Sequence, residues 1–366
     1  MVVLHIICKK KRYFLIIAMS LILLSFFIKS NGQFVTKGIY GHPKPLWDKG
    51  YTLSELGINA IFVHSGSIDS ALIARAKKEC VKVYAEFATL NGKNYVQENP
   101  KAWAINENGE RVEAASWFMG VCPTDPDFRN FRFQQLRNLL SEYDIQGVWM
   151  DYVHWHAQFE EPEPILPETC FCENCLTTFS REKNIFIPKG NTAEKAKWIL
   201  QNKNDEWRDW RCNVIYDWSF QIRKIVDQQK PGALLGIYHC PWDDQEFQGA
   251  RRRILGLDYD LLKDLFDVFS PMVYHARMGR EPVWVEENIN WFCNRLNINP
   301  NTSPQVWPII QTYNNPYIIS ANEFEIVMNG GLSGESSGLM MFTTNAVADD
   351  LQKIQVVKKI YKSSIR

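Results

Sequence analysis

The residues of most chemical interest are acids that close short apolar runs. Gly147-Val148-Trp149-Met150 leads directly into Asp151, and Tyr84-Ala85 leads into Glu86 and Phe87. Burial raises a carboxyl pKa and nearby donors lower it, so two acids in such settings can take different roles in one reaction. Two carboxyl groups astride a glycosidic bond are what glycoside hydrolysis requires: one protonates the leaving oxygen, and the other attacks the anomeric carbon or activates water. Asp151 is the leading candidate, as nucleophile or base, with Glu86 as its acid partner. Asp243 competes with Glu86 for the pairing, and Glu160 stands with Asp243 in reserve. The plainer alternatives are a capping role for Asp151 and an internal ion pair for Glu86. His154, Trp155, His156, His239, Trp242, Tyr274, His275, Gln311 and Tyr313 lie at or just beyond the ends of the later apolar runs. Their polar groups suit sugar hydroxyls, and their flat rings, with that of Trp117, suit sugar faces.

Two further readings use the same residues. His154 and His156 form a His-x-His pair near Asp151, and with His239 and His275 they make a metal-dependent hydrolase conceivable. An aromatic rim without catalysis would instead give a glycan-binding protein.

These side chains need a scaffold that brings distant segments to one place. Eight β-branched or aromatic runs recur along the chain: Val35–Tyr40, Ala60–His64, Val81–Phe87, Gly147–Val153, Leu234–Cys240, Val268–His275, Val306–Tyr313 and Gly338–Thr343. Amphipathic stretches lie between them, among them Ala71–Glu79, Phe128–Tyr143, Asp205–Gln229 and Val285–Leu296. Nearly continuous apolar strands separated by helices predict an α/β fold with a covered parallel sheet. Eight strands close a (β/α)8 TIM barrel, and no Gly-rich phosphate loop follows the first strand to favour an open sheet. The chain exceeds the ~250 residues usual for this barrel. The surplus falls after strand four (Trp155 to Ala196) and strand five (Pro241 to Leu257), on the face where such barrels carry their chemistry.

The 366 residues carry 41 Lys and Arg against 41 Asp and Glu, a balance that argues against nucleic acid as a partner. With 21 Phe, 14 Tyr and 13 Trp the chain is no disordered segment. Residues 1–32 read as a signal peptide. Lys9 to Arg12 supply the basic start, Tyr13 to Ile28 the apolar core, and Ser30 and Gly32 the small residues before a cut near Gln33. An uncleaved anchor is the alternative, but the run is short for a ~30 Å hydrocarbon core. The expectation is a secreted or periplasmic barrel domain, residues 33–366, with a mild acidic excess and no stable membrane insertion.

Cys170-Phe171-Cys172-Glu173-Asn174-Cys175 is the densest part of the cysteine pattern. Spacings of two and three suit a tetrahedral thiolate site better than mutual disulfides. Cys122, in Val121-Cys122-Pro123, is the fourth ligand chosen. A set of disulfides suited to an exported protein is the alternative. Over roughly residues 80 to 180 the chain resembles the family 42 glycoside hydrolases. In that family a Cys-Pro turn before the fourth strand and a later Cys-x-Cys-x-x-Cys followed by Phe, here Phe179, bind a structural zinc. The resemblance implies such a zinc and no cofactor for catalysis. It does not extend to the family's catalytic pair, an Asn-Glu after strand four and a Glu on strand seven. Here those places hold Asp151-Tyr152 and Gln311, so the resemblance implies a divergent glycoside-hydrolase-type barrel acting on a carbohydrate, without β-galactosidase activity.

Overall fold

The computed structural model describes residues 36–115 and 117–363, so the proposed signal segment lies outside the described residues. Strands β1 (Thr36–Tyr40), β2 (Ala60–His64), β3 (Lys82–Ala88), β4 (Gly147–Asp151), β5 (Leu234–His239) and β6 (Val268–Val273) follow one another in parallel. The seventh stave comes in two pieces, β7 (Gln305–Val306) and β8 (Ile309–Gln311), both paired to β6. Pro308 has no N–H to give the ladder, which explains the interruption within a run that reads as continuous in sequence. β9 (Gly338–Phe342) pairs with β8 on one side and with β1 on the other, Thr36 against Gly338 through Tyr40 against Phe342. That last ladder closes an eight-staved (β/α)8 barrel, as the alternation of runs predicts.

Helices α1 (Ser70–Lys78), α2 (Pro126–Glu142), α3 (Glu173–Lys183), α4 (Thr192–Asn202), α5 (Asn204–Gln229), α6 (Trp284–Leu296), α7 (Ala321–Gly331) and α8 (Leu351–Ser363) cover the strands and their connections. Their starts follow from local chemistry. Asp125 accepts from the Phe128 N–H at 2.8 Å with Pro126 in the first helical turn, and Asn191 and Glu194 form a reciprocal capping box on α4. Among the described residues no helix is long and apolar enough to cross a membrane.

The barrel interior is plugged by aromatic rings. Tyr84 and Trp149 lie 4.7 Å apart centroid to centroid, Phe62 stacks on Tyr84 at 4.9 Å, and Trp307 stacks on Trp149 at 5.5 Å. The Trp149 indole N–H donates to Ser270 Oγ at 3.0 Å, so the layer is dry yet satisfied. Glycines on the facing strands make the room. A Cβ on Gly236 would stand 2.2 Å from the Trp149 ring, and one on Gly338 would stand 2.6 Å from Trp307. Because strand side chains alternate, Asp151 shares a face with Trp149 and Glu86 with Tyr84, placing both acids directly above this floor.

The surplus after strand four holds α3 and α4, as well as a loop that crosses the mouth. A second long connection, residues 89–125 after β3, also borders the mouth; the sequence reading gave that segment no part in the surplus.

Candidate active site at the barrel mouth

Three acids meet above the aromatic floor. Glu86 lies opposite His64 of β2 and is only 2 % exposed. Tyr40 Oη donates to its Oε2 at 2.5 Å. Burial pushes the Glu86 carboxyl above its ordinary range, against the pull of His64 and of the Tyr40 hydrogen bond. Asp151 ends β4 in register with Ala88, one pleat (about 6.6 Å along a strand) beyond the level of Glu86 and on the same face. Tyr152 turns the chain there with a φ of 53°, so its N–H donates to Asp151 Oδ1 at 2.7 Å. Burial, then the neighbouring Glu86 and, more weakly, Glu160, raise the Asp151 carboxyl well above normal.

Glu160 comes from the loop after β4. Its Oε2 lies 2.7 Å from an Arg277 guanidinium nitrogen, which offsets part of the rise that burial imposes. Arg277 also contacts Glu161 at 3.0 Å and stands 4.5 Å from the centroid of the Trp117 ring. Asp151, His154, Gln158 and Glu160 line one small cavity with Trp117 and Phe118, about 10 Å³ in volume, roughly the space of one water. The acids that share a cavity are therefore Asp151 and Glu160, while Glu86 lies beneath them behind the Tyr40 hydroxyl. The sequence reading paired Asp151 with Glu86 and held Glu160 in reserve.

The remaining candidates divide between the mouth and the packing around it. His154 lines the cavity; its Nδ1 is 2.8 Å from the Trp155 carbonyl, and burial drives its pKa to about 4. Tyr274 and half-buried Tyr313 form the wall beside Phe342, with ring centroids 5.2 and 5.7 Å from it. His156 is turned aside: its Nδ1 accepts from the Gly120 N–H at 3.1 Å and its ring stacks on Phe118. Trp155 is 0 % exposed, donates to the Arg211 carbonyl and packs near Trp210. Trp242 is 2 % exposed against Phe247 and Phe159, so neither indole presents a face to a sugar. His239, with a pKa pushed by burial to about 3, is 2.8 Å from Tyr259 Oη and sits in the core. His275 Nε2 is 2.9 Å from Glu323 Oε1. Gln311 accepts from the Arg277 N–H and donates to the Tyr313 and Asn315 carbonyls, binding two loops together instead of facing the cavity. Asp243 caps its own turn, accepting from the Gln245 and Glu246 N–H groups at 2.7 and 2.8 Å. The imidazoles thus face different partners, and the geometry does not assemble the His and Asp metal set.

Tyr40 and Arg277 are the functional neighbours that the sequence reading missed. Tyr40 was legible through period two, since it shares a face with Gly38 and ends the first strand. Arg277 lies beyond the end of β6 in a turn, and no spacing announced its reach to Glu160.

The cysteine cluster lies behind the mouth. The sulfurs of Cys122, Cys170, Cys172 and Cys175 all fall within 4.8 Å of one another, and Cys122 Sγ is 3.5 Å from Cys172 and 3.4 Å from Cys175. Each is a free thiol, and a disulfide would need about 2.05 Å. Four Zn–S bonds of about 2.3 Å put tetrahedral sulfurs about 3.8 Å apart, so this donor set fits a structural zinc. Zinc there would tie the connection after β3 to the start of α3, hence the Trp117 loop to the segment that follows Glu160.

The sequence matches no family model and no curated protein. Solved structures share the fold. The PgaB (BpsB) glycoside hydrolase domain from Bordetella bronchiseptica aligns with a TM-score of 0.65 at 11 % identity, over 88 % of this chain and 98 % of that domain. A β-galactosidase from the psychrophilic Marinomonas ef1 aligns at 0.66 and 10 % identity, over 90 % of this chain and 59 % of the enzyme. An α-L-fucosidase isoenzyme from Paenibacillus thiaminolyticus aligns at 0.57 and 12 % identity, over 90 % and 49 %. The chain thus spans about half to three fifths of the two larger enzymes. At these identities the likeness is one of architecture, a (β/α)8 barrel shared with these proteins.

Proposed function

We propose that this chain is a glycoside hydrolase that cleaves O-glycosidic bonds of an oligo- or polysaccharide, exported by removal of residues 1–32 and braced by zinc on Cys122, Cys170, Cys172 and Cys175. The observation that carries this reading is the cavity shared by Asp151 and Glu160 on the strand-end face of the barrel, beneath the exposed Trp117 ring. Asp151, with its pKa raised by burial and by Glu86, is suited to hold the proton for the leaving oxygen. Glu160, with Arg277 as its counter-charge, is the better carboxylate. This allocation reverses the role of Asp151 read from sequence and replaces Glu86 by Glu160 as its partner. Burial first, and Glu86 as a neighbour from below, favour the protonated form of Asp151.

Glu160 taken as base to a water implies inversion at the anomeric carbon. Hydrolysis of a glycan panel tests the assignment. Asp151→Asn and Glu160→Gln should each lower kcat about 100-fold or more on glycans with poor leaving groups. Full activity in Asp151→Asn excludes the proposal. On a substrate that is cleaved, proton NMR of the first-formed product should show the opposite anomer; retained configuration would make Glu160 a nucleophile instead.

A further inference from the structure

A groove of about 950 Å³ opens beside the mouth, between the ends of β2 and β3 and the outer face of α2. It shares Trp117 and Phe118 with the acid-lined cavity, and His64 and Ala88 line its strand-end side. From there it follows α2 from Phe131 to Glu142, about 16 Å at the helical rise, several times the width of one sugar ring.

Its chemistry is specific. Trp117 is 40 % exposed and Phe131 41 % exposed, an unusual outlay of aromatic surface on one groove. Trp117 is also fixed in place: Arg277 lies 4.5 Å from its ring centroid, and Asn91 Nδ2 holds its carbonyl at 3.2 Å. Phe131 is backed by Tyr95, with ring centroids 5.3 Å apart. The walls also offer the exposed amides of Asn94 and, beyond Phe131 on α2, of Gln135 and Asn138. Lys93, Arg132 and His64 on the groove are set against Glu98 and Glu142, so no strong field of either sign runs along it.

We infer that this groove binds several consecutive units of an uncharged polysaccharide, with Trp117 as the stacking platform nearest the acids, so that the enzyme cuts within chains and not only at their ends. The inference rests on the glycoside hydrolase reading. Rigid rings suit sugar faces, neutral amides suit hydroxyls, and balanced charge gives a polyanion no advantage. Asn91 is a positioning residue that acts through the Trp117 loop.

The test is binding by the full chain carrying Asp151→Asn, in which turnover is slowed as proposed above. The probes are ladders of β-linked glucose, mannose and N-acetylglucosamine from two to eight units, with oligogalacturonate and an extended apolar peptide alongside. Affinity for one neutral ladder should climb about tenfold or more from the disaccharide to the longest member. Trp117→Ala and Phe131→Ala should each flatten that climb; Phe131 is the safer site, being an exposed position on α2. Affinity that is independent of length, no binding of any neutral ladder, or preference for the acidic ladder or the peptide would each overturn the proposal. The two readings fail separately. Length-dependent binding without hydrolysis by the wild type sinks the enzyme and keeps the groove, whereas hydrolysis with flat length dependence does the opposite.

Discussion

Three carboxyl groups and one guanidinium crowd the mouth, and their charges cannot all be independent. Asp151 titrates against Glu86 and Glu160, so proton loss there belongs to the group as much as to one residue. Catalysis as proposed needs Asp151 protonated and Glu160 ionised, which gives a bell-shaped kcat/KM profile with Asp151 on the alkaline limb. A neighbouring anion makes ionisation of Asp151 harder. Removing that anion with Glu86→Gln should therefore lower the Asp151 pKa and move the alkaline limb toward acid by about a pH unit, while the acid limb moves less. A pH–rate series on the two proteins measures this. An unmoved alkaline limb would show that Glu86 does not control Asp151. Of this cluster the sequence made Asp151 and Glu86 visible, because each ends or interrupts an apolar strand. Glu160 was legible only as a reserve, since a loop residue carries no periodicity to say where it points. The division of the aromatic and His candidates into mouth and packing was not legible either. Trp155 and Trp242 differ from Trp117 only in what folds over them.

At the scale of elements, the acids owe their height to the rings beneath. Gly236 of β5 faces Trp149 of β4, and Asp151 follows Trp149 by one pleat on the same strand face. A methyl group at Gly236 would overlap the indole at 2.2 Å, and Trp149 is hemmed in by Tyr84, Phe62 and Trp307. Gly236→Ala should cost about 1–3 kcal/mol in urea unfolding, the range for overpacked cores, and should lower activity along with stability. An unchanged midpoint would mean that the floor yields freely and does not set the height of Asp151. The eight staves were legible because a buried parallel strand must be apolar along its whole length. Their ends were less so. The sequence reading carried strands on to Val153, Cys240 and His275, while the ladders stop at Asp151, His239 and Val273. At β4 the reason is the left-handed turn at Tyr152, which apolar content cannot announce. The break at Trp307-Pro308 could have been read from the proline alone.

For the molecule as a whole, the question is what holds two long connections over one opening. The segment after β3 carries Trp117 and Phe118, and the segment after β4 carries His154 and Glu160. Aromatic contacts join them, with Phe118 against Tyr152 at 5.2 Å and against His156 at 5.2 Å, and Arg277 spans Trp117 and Glu160. Such contacts alone leave loops free to part. Zinc held as proposed would add a cross-link of another kind, since Cys122 lies in the first segment and Cys170, Cys172 and Cys175 in the second. Binding energy of zinc to four thiolates becomes folding energy for whatever the ligands connect. The protein as purified should accordingly carry about one zinc per chain by elemental analysis, and Cys172→Ser should lose it. Stripping the metal with a strong chelator should lower Tm by several degrees and lower kcat/KM, because the loops that carry Trp117 and Glu160 both loosen while Asp151 stays on its strand. Restored zinc should reverse both changes. A purified chain with no metal, and with four fewer titratable thiols when denatured than after reduction, would instead establish the disulfide arrangement. Loss of kcat with Tm unchanged would place a metal in the chemistry itself, and the division of labour between the cysteine cluster and the carboxylates would have to be redrawn.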